Sequence, residues 1–457
     1  MASSRKPRSA DDPLAAVAAS IARHVAPGAR LCVGLSGGVD SVVLLHLLND
    51  LRKRRDLSVT AAHVHHGLSP SADHWAAFCS GLCERLDIPI RHFKVRLPVS
   101  PADGVEAAAR SARYAAFSRL EADWLALGHH RDDQAETVLF RLFRGAGARG
   151  MSGIAEVERR TDGMSLLRPM LGVDRAAILS WARDRGLDWI EDESNADLRF
   201  TRNFLRKSVL PLVQERFPAA VSSICRAADH LRESQGLLDE LAVIDWRAVC
   251  ADEAMRFDAL LRLPEERQRN LIRWALRAMG LPAPDDADLR EAVRQLGALG
   301  AGQPLHYALG QAWLCRYRNT VWLEEIVDSS ATTVPWCGIE RLRWGGDEVV
   351  FERVRGAGVR FSCLDGRLVL LDRRRPGDRM QLAAGRPHRS IKNLVQEAGI
   401  PPWLRDAMPV LRVDGVPVWI GGVGVAHDYA CPPGEDGLLP SWLRSGAAGI
   451  SLRPGQA

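Results

Sequence analysis

The chain has 457 residues, more than one ordinary hydrophobic core accommodates, so two to three domains are expected. Hydrophobic residues make up 46% and charged residues 26%, as in ordinary globular proteins, and no apolar run approaches the roughly 20 residues that span a bilayer. The net charge of +5 is mildly basic, which is compatible with a nucleic-acid partner but is weak support for one by itself. Nearly all of the basic residues are arginine, so a single arginine does not by itself indicate a phosphate contact.

The N-terminus and the cysteines both indicate a cytoplasmic protein. Asp11, Asp12 and Pro13 interrupt the alanine-rich start of the chain, which therefore lacks the apolar segment of a secretory signal. The nine cysteines are scattered and none is arranged as Cys-x-x-Cys, so the sequence predicts neither a zinc knuckle, nor an iron–sulfur site, nor a thioredoxin-like centre. We expect reduced, mostly buried thiols.

Residues 31–128 alternate between short apolar runs and helical stretches. The predicted strands cover residues 31–35, 58–64, 88–95 and 124–127. The predicted helices cover residues 42–51, 73–86, 104–120 and 132–143. This alternation predicts an α/β fold, a Rossmann-like parallel sheet with helices on both faces, and ligands that bind beyond the carboxyl ends of the strands.

The rest of the chain is predicted to be helical first and of mixed α+β type towards its end. Apolar spacing predicts helices at 175–185, 204–217, 219–241, 265–279 and 286–299. Short β-type runs at 367–371, 410–413 and 416–420 accompany a helix at 390–398. The predicted parts are a catalytic domain at 1–218, a helical middle domain at 219–326, a connector at 327–360 and a small α+β domain at 361–445.

A glycine-rich loop lies between the first predicted strand and the helix that follows it. Its residues are Ser36, Gly37, Gly38, Val39, Asp40 and Ser41. Adjacent glycines let the backbone approach a phosphate closely, and the N-terminus of the next helix directs N–H groups to the same place. The loop has no lysine and matches neither the Walker A pattern nor Gly-x-Gly-x-x-Gly. Asp40 would repel a phosphate unless a divalent cation bridges the two, so we predict a phosphate-binding loop with a divalent cation at Asp40 rather than a serine-capped turn.

A second polar group, which contains His129, Asp133 and Glu136, follows the last of these strands. Asp133 and Glu136 are three residues apart, so they share one face of the first helical turn. Two carboxylates at this edge of a parallel sheet are suited to hold Mg²⁺ or to bind an ammonium group. A single acidic residue here would be explained by stabilisation of a helix N-terminus, but the dense pattern His-His-x-Asp-Asp-x-x-Glu favours function.

With its preceding leucine, the glycine-rich loop resembles the PP-loop of the N-type ATP pyrophosphatases, which cleave ATP to AMP and pyrophosphate and adenylate an oxygen atom. Further motifs make the chain similar to the tRNA(Ile)-lysidine synthetase family: the polar group at 128–137, the pair Arg110 and Arg113, and the segments 192–197 and 200–206. Segments 374–378, 390–393 and 399–406 resemble that family's tRNA-binding domain. The middle region matches only in helical character and at 316–319.

The resemblance implies that the enzyme uses ATP, Mg²⁺ and free lysine to convert the first anticodon cytidine of the CAU-bearing isoleucine tRNA into lysidine. The cytosine O2 atom would attack the α-phosphate, and the lysine ε-amine would then attack C2 and expel AMP. Asp40 and Glu136 would hold the metal, while Arg113, Asp133 and Glu136 would line the lysine and reaction site. Either a carboxylate or His129 would accept the proton of the amine.

The middle and C-terminal domains are expected to contact the tRNA. The single residues expected to bind it are Arg202, Asn203 and Arg206, at the end of the catalytic domain, and Arg374, Arg375, Arg389 and Lys392, in the C-terminal domain. The basic cluster at 373–392 suits a phosphate backbone, although the general arginine bias of the chain explains it equally well. The sequence leaves the oligomeric state open, a homodimer included.

Three alternatives remain. A tRNA thiolation enzyme of the same superfamily acting on cytidine 32 typically carries Cys-x-x-Cys pairs, and this chain has none. An amidotransferase-type synthetase such as GMP or NAD synthetase uses ammonia and is accompanied by a glutaminase, whose Cys-His arrangement is not evident in the sequence. A non-catalytic tRNA-binding protein with a decayed ATP fold would not be expected to keep Ser36, Asp40, Asp133 and Glu136.

Overall fold

The computed structural model describes residues 12–65, 67, 70–96, 105–160, 163–191, 197–251, 254–300, 302–326 and 332–444. Predictions that concern residues 1–11, 192–196 and 327–331 lie outside the described residues. The chain divides into two compact units, 1–236 and 237–457. Within the described ranges, no helix is both long and apolar enough to cross a membrane.

The first unit is built on a six-stranded sheet. Its strands are β1 Arg30–Gly34, β2 Ser58–His65, β3 Ile90–Lys94, β4 Trp124–Ala126, β5 Val157–Glu158 and β6 Ser165–Leu167. They lie in the order β3-β2-β1-β4-β6-β5, and all neighbours are parallel except β5 and β6. The predicted parallel Rossmann-like sheet is therefore confirmed, with its four predicted strands in place.

Helices cover both faces of this sheet, and β1 is therefore buried on both sides. Its residues Leu31 and Val33 belong to one apolar cluster and Cys32, between them, to another. The helices are α1 Pro13–His24, α2 Val39–Arg55, α3 Ala72–Arg85, α4 Val105–Phe117, α5 Arg131–Leu142, α6 Ala148–Met151, α7 Arg175–Asp184, α8 Thr201–Phe204, α9 Leu210–Arg216 and α10 Ala220–Val249. A π-helical segment, Leu205–Val209, joins α8 to α9, and α10 continues beyond residue 236.

The strand order places the ligand-binding edge of the first unit. The chain runs outward from β1 through β2 to β3 and then returns to β4 on the other side of β1. The segments that follow β1 and β4 therefore diverge at a topological switch point, where open parallel sheets bind their ligands. The glycine-rich loop follows β1 and the polar group at 129–136 follows β4.

The second unit contains the helices predicted for the middle region and a sheet that was not predicted. The helices are α11 Phe257–Leu260, α12 Glu265–Ala278 and α13 Asp286–Ala298. They pack with five antiparallel strands, β7 Cys250–Ala251, β8 Ala254–Arg256, β9 Leu305–Leu309, β10 Ala312–Tyr317 and β11 Thr320–Glu325. Strands of two to six residues carry too few alternations to be recognised beside strongly amphipathic helices.

The end of the second unit is strand-rich, as predicted for an α+β module. Its strands are β12 Val334–Pro335, β13 Arg341–Trp344, β14 Asp347–Arg355, β15 Val359–Arg360, β16 Val369–Asp372, β17 Arg379–Met380, β18 Arg389–Ser390, β19 Val410–Val413, β20 Val416–Ile420, β21 Gly424–Val425 and β22 Asp436–Leu443. Helix α14 Ile391–Glu397 matches the predicted helix. Residues 341–355, predicted as part of a connector, instead form β13 and β14, and β14 pairs along its length with β22. Only Val349 and Phe351 of β14 are buried, which explains its weak periodicity.

Candidate active site

Two backbone segments meet at the switch point of the first unit. A Cβ atom built on Gly128 would lie 2.9 Å from the carbonyl carbon and oxygen of Asp40 and 3.2 Å from the amide nitrogen of Ser41. Only a residue without a side chain allows two backbones to approach so closely. The glycine-rich loop and the polar group at 129–136, which were expected at the same edge of the sheet, therefore lie together.

The glycine-rich loop is held in shape by its own serines. Ser41 Oγ donates to the carbonyl oxygen of Gly38 at 2.9 Å and accepts from the amide of Ser36 at 3.2 Å. The amide of Gly38 donates to Ser36 Oγ at 3.3 Å. Helix α2 begins at Val39, with Gly38 as its N-cap and no side chain capping it. The loop and the helix N-terminus therefore have a geometry that suits an anion, and the binding of phosphate by this loop stays a prediction.

Gly37 is the loop position that most strictly requires glycine. Its φ angle is +91°, and a Cβ atom there would lie 2.5 Å from Ile190 Cδ1. The amide of Ile190 donates to the carbonyl oxygen of Gly37 at 2.9 Å. Ile190, which lies beyond α7, therefore supports the loop from behind. Ile190 was not predictable from sequence, because an isolated apolar side chain in a loop has no local signature.

Asp40 is the loop residue that fits a divalent cation. It lies in the first turn of α2, and its Oδ1 atom is buried without a hydrogen-bond partner among the described residues. A buried carboxylate oxygen left without a partner is costly unless a cation or water supplies one. In the described part of the chain, no group of three His, Cys, Asp or Glu residues could hold a metal by itself. Asp40 thus suits the Mg²⁺ chemistry in which one carboxylate, waters and phosphate oxygens share the ion.

His130 is a buried residue that links the loop to the acidic residues of α5. Its Nε2 atom lies 3.3 Å from Asp133 Oδ2 and 3.6 Å from Asp40 Oδ2, while its Nδ1 atom lies 3.7 Å from Asp132 Oδ2. Its amide donates to Asp133 Oδ2 at 3.0 Å. Burial acts to lower the pKa of His130, but its contact with Asp40 and the charges of the other two carboxylates outweigh burial and raise it. His130 is the second histidine of the His-His-x-Asp-Asp-x-x-Glu pattern, and no role was predicted for it.

His129 has the opposite electrostatic character. Burial, opposed by Asp133 and reinforced by the cations Arg168, Arg110 and Arg202, lowers the pKa of His129 to about 4. The imidazole is therefore neutral at pH 7 and a weak base. Arg168, which was not predicted from sequence either, is 2% exposed and is held by Ala155 O at 2.8 Å and by the carboxylate of Glu158 at 2.9 Å.

Asp133 and Glu136 share a single cation. Arg206 Nε donates to Glu136 Oε1 at 2.5 Å, and one terminal nitrogen donates to Glu136 Oε2 at 3.0 Å and to Asp133 Oδ1 at 2.8 Å. Burial, opposed mainly by Arg206, raises the pKa of Glu136. At Asp133, burial is outweighed by His130, His129 and Arg206, so the pKa of that carboxyl is lowered. Two neighbouring acids with pKa values shifted in opposite directions are typical of sites that move protons.

Three further residues of the first unit were predicted to be functional. Arg113 lies exposed on α4, one turn beyond Arg110, whose charge reaches His129. Arg202 lies on α8 and also lowers the pKa of His129. Asn203 Nδ2 donates to the carbonyl oxygen of Asp197 at 2.9 Å. Arg110 and Arg202 are therefore near the site, and the assignments of Arg113, Arg202 and Asn203 to substrate contacts stay predictions.

The basic residues predicted in the second unit are mostly ion-paired. Arg374 pairs with Asp406, Arg375 with Asp372 at 2.6 Å, and Arg389 with Glu397. Lys392 is exposed on α14 and forms no ion pair within the described ranges. The three arginine side chains are 36%, 54% and 44% exposed, so each keeps an accessible face.

A fully buried arginine organises this basic segment. Arg412 on β19 donates to Asp372 at 3.1 Å, to both carboxylate oxygens of Asp378 at 3.0 and 2.5 Å, and to the carbonyl oxygen of Arg373 at 3.0 Å. The turn at 372–378, which carries Arg374 and Arg375, is therefore fixed from its inner side.

The first unit has a lysine-free glycine loop at the switch point of a parallel sheet, with carboxylates beside it. Residues 13–213 match the family model described as the PP-loop domain, so this unit belongs to a class of proteins that use ATP. Relatives from Aromatoleum aromaticum, Azoarcus sp. and Nitrosomonas europaea are 51%, 48% and 36% identical, covering 93%, 95% and 92% of this chain and 100%, 96% and 93% of their own length. All three are named tRNA(Ile)-lysidine synthase, and the chain belongs to this family. Residues 256–322 and 369–443 match the TilS substrate binding domain and the TilS substrate C-terminal domain.

Proposed function

We propose that the enzyme is a ligase that joins free lysine to C2 of the first anticodon cytidine of a CAU-bearing isoleucine tRNA, at the cost of one ATP cleaved to AMP and pyrophosphate. The observation that carries the proposal is the contact between Gly128 and Asp40. This contact brings the glycine-rich loop, which would bind pyrophosphate, close to the carboxylates of α5. Family membership indicates the reaction. The contact between the two motifs provides one site where both the adenylation of the cytidine and the attack by lysine can occur.

In the first step the cytosine O2 atom attacks the α-phosphorus of ATP, and the bond to the β-phosphate oxygen breaks. Pyrophosphate leaves into the cradle formed by Ser36, Ser41 and the N-terminus of α2, whose N–H groups stabilise its charge. Asp40 would hold Mg²⁺, which, when bound, neutralises the developing phosphate charge. Glu136 was also predicted as a metal ligand. Both of its oxygens accept hydrogen bonds from Arg206, so Asp40 is the better supported of the two.

In the second step the lysine ε-nitrogen attacks C2 of the adenylated base, the C2–O bond breaks, and AMP leaves with that oxygen. The ε-ammonium must lose a proton before it becomes a nucleophile. A base with a pKa of about 4, such as His129, is a poor acceptor for that proton. Burial raises the pKa of Glu136, so we assign Glu136 as the proton acceptor and Asp133 as the carboxylate that stays ionised beside it.

The thiols of the first unit argue against the sulfur-transfer alternative. Burial raises the pKa of Cys32, Cys83 and Cys225 to about 11 and that of Cys79 to about 12. A thiol that stays protonated at neutral pH is a weak nucleophile and a poor carrier of sulfur. No other cysteine occurs within residues 1–236.

The proposed partners follow from the same assignment. The tRNA would contact Arg202, Asn203 and the basic segment of the second unit, free L-lysine would enter at Asp133 and Glu136, and the enzyme would act in the cytoplasm. Whether it works as a monomer or as a homodimer can be measured by light scattering at the concentrations used for activity.

The test is incubation of the full chain with isoleucine tRNA transcript (CAU anticodon), ATP, Mg²⁺ and labelled lysine. We expect lysine to enter the tRNA with one pyrophosphate released per lysine. Glu136→Gln should abolish lysine transfer while tRNA binding persists, and Glu348→Gln, which removes an exposed carboxylate on β14, is the matched control. Absence of lysine incorporation by the unmodified enzyme would refute the proposal.

A further inference from the structure

We propose that Arg206 holds the place of the substrate's ammonium group in the free enzyme, and that lysine binds by displacing its guanidinium group from Asp133 and Glu136. The inference rests on the proposed function, in which this carboxylate pair receives the lysine side chain. It gives Arg206 a role other than the tRNA contact predicted from sequence.

The contact geometry makes the two cations compete for the same acceptor atoms. Arg206 engages Glu136 through two nitrogens, at 2.5 and 3.0 Å, and reaches Asp133 Oδ1 at 2.8 Å with the second of them. One planar guanidinium thus occupies both oxygens of one acid and one oxygen of the other. An ammonium group that approaches the same pair needs the same acceptor atoms and is repelled by the guanidinium charge, so it competes with Arg206 for this place.

The burial of the partners shows which of them is able to leave. The side chain of Glu136 is 3% exposed, whereas that of Arg206 is 33% exposed and has a route to solvent. An ionised carboxylate buried to this degree is strongly destabilising without a cation beside it. The exchange of a guanidinium for an ammonium keeps one cation beside the two carboxylates. An amino acid with a neutral side chain would leave Glu136 without a cation, which disfavours its entry.

The backbone at Arg206 is suited to such a movement. Arg206 lies in the π-helical segment Leu205–Val209, between α8 and α9. Pro211 follows in the first turn of α9 and has no amide hydrogen. In regular α-helical winding, the ring of a proline crowds the carbonyl group four residues before it, which here belongs to Lys207. The helix widens just ahead of this proline. π-Helical turns are frequent at functional sites, and a return to α-helical winding would shift the register of Arg206 relative to α5.

The decisive measurement is the KM for lysine, together with pyrophosphate release from ATP and tRNA in the absence of lysine. If Arg206 competes with the substrate, Arg206→Ala should lower the KM for lysine by about tenfold, whatever its effect on pyrophosphate release without lysine, which measures the adenylation step separately. Added guanidinium chloride at millimolar concentration should then inhibit Arg206→Ala competitively against lysine, because the free ion refills the vacated place, and should leave the unmodified enzyme unaffected. Arg199→Ala removes a nearby exposed arginine that is paired with Asp197 and serves as the matched control.

The opposite results overturn the inference. If Arg206 only supports the site, Arg206→Ala raises the KM for lysine or leaves it unchanged, and guanidinium either restores activity or has no effect. Should Arg206→Ala fail to fold, Arg206→Lys decides the matter. The single amine of the new lysine binds both carboxylates less well than the planar guanidinium group does. The KM for the substrate lysine should therefore fall, and a rise in this KM contradicts displacement. Failure of the proposed function is distinguishable, because the unmodified enzyme would then transfer no lysine at all.

Discussion

The backbone of Gly128, two residues beyond the end of β4, lies against the backbone of Asp40 in the first turn of α2. A Cβ atom on Gly128 would lie 2.9 Å from two main-chain atoms of Asp40, and main-chain atoms cannot move aside as a flexible side chain can. The position of the pyrophosphate loop relative to Asp133 and Glu136 therefore depends on the absence of one methyl group.

We expect Gly128→Ala to separate the two motifs while the protein stays folded. Overpacking of this kind costs about 1–3 kcal/mol of folding free energy, whereas a displacement of about 1 Å between reacting groups lowers the rate on the order of 100-fold. Pyrophosphate release and urea unfolding measure the two effects. Gly297→Ala is the control, because it lies in α13 with open space around its Cβ position and should be slightly stabilising without changing the rate. Full activity in Gly128→Ala would show that the loop tolerates the displacement.

The adjacent residues His129 and His130 should have well-separated pKa values. We expect His129 to stay neutral until the pH falls to about 4, and His130 to keep its proton above the ordinary histidine range of about 6.5. Asp40→Asn should lower the pKa of His130, since its contact with Asp40 is the first of the interactions that hold the proton there. Nitrogen NMR of the imidazoles in metal-free protein measures both values, and the observation of two histidines that titrate together near 6.5 contradicts this assignment.

The sign of each contribution to stability follows from these shifts. For His129, the unfolded chain binds more protons than the folded one between about pH 4 and about pH 6.5. Stability from this residue is therefore lost as the pH falls through that window, and His129→Gln should flatten the loss. His130 has a raised pKa and contributes stability that is fully present below about pH 6.5 and is lost as the pH rises through its folded value.

The local parts of this architecture were predictable from sequence, and the long-range pairings were not. Strands β1 and β4 and the loop and helix after each were readable, because apolar periodicity and glycine act over a few residues. Arg206 was assigned to tRNA because nothing near it in the chain identifies Glu136 as its partner. Arg412 carries no local signal either, since its burial depends on Asp372 and Asp378. Only the folded chain brings such groups together.

Lys392 and Arg374 should contribute differently to tRNA binding. Lys392 forms no ion pair in the described ranges, so its contact with a phosphate releases about one cation from the tRNA. Lys392→Ala should therefore reduce the slope of log K against log salt by about 0.7–0.9. Arg374 is paired with Asp406 and exchanges one anionic partner for another, so Arg374→Ala should change the slope less. Filter binding at several salt concentrations measures both. Lys53→Ala, in the last turn of α2, is the matched lysine control and should leave the slope unchanged.

Arg412 should be the residue on which the basic segment of the second unit most depends. Arg412→Met leaves Asp372 and Asp378 without their buried cation, and the loss of one partner of a buried ion pair typically costs about 3–5 kcal/mol. Hydrogen exchange of strands β16 and β19 would detect this loss. Arg367→Met removes the exposed pair with Asp414 and should cost less than about 1 kcal/mol.

The acid response of Arg412→Met provides a second, independent test. Burial acts to raise the pKa of Asp372 and Asp378, but their hydrogen bonds outweigh it and lower both values, with Arg412 the leading cause at Asp378. Their contribution to stability is therefore present above about pH 3.9 and is lost as the pH falls through their folded values. In Arg412→Met the two pKa values rise, so unfolding should begin at a higher pH than in the unmodified protein. Adding Asp378→Asn removes one of the uncompensated charges and should recover part of both losses. If that double variant is no more stable than Arg412→Met alone, packing around the arginine, rather than the unpaired carboxylate, accounts for the cost.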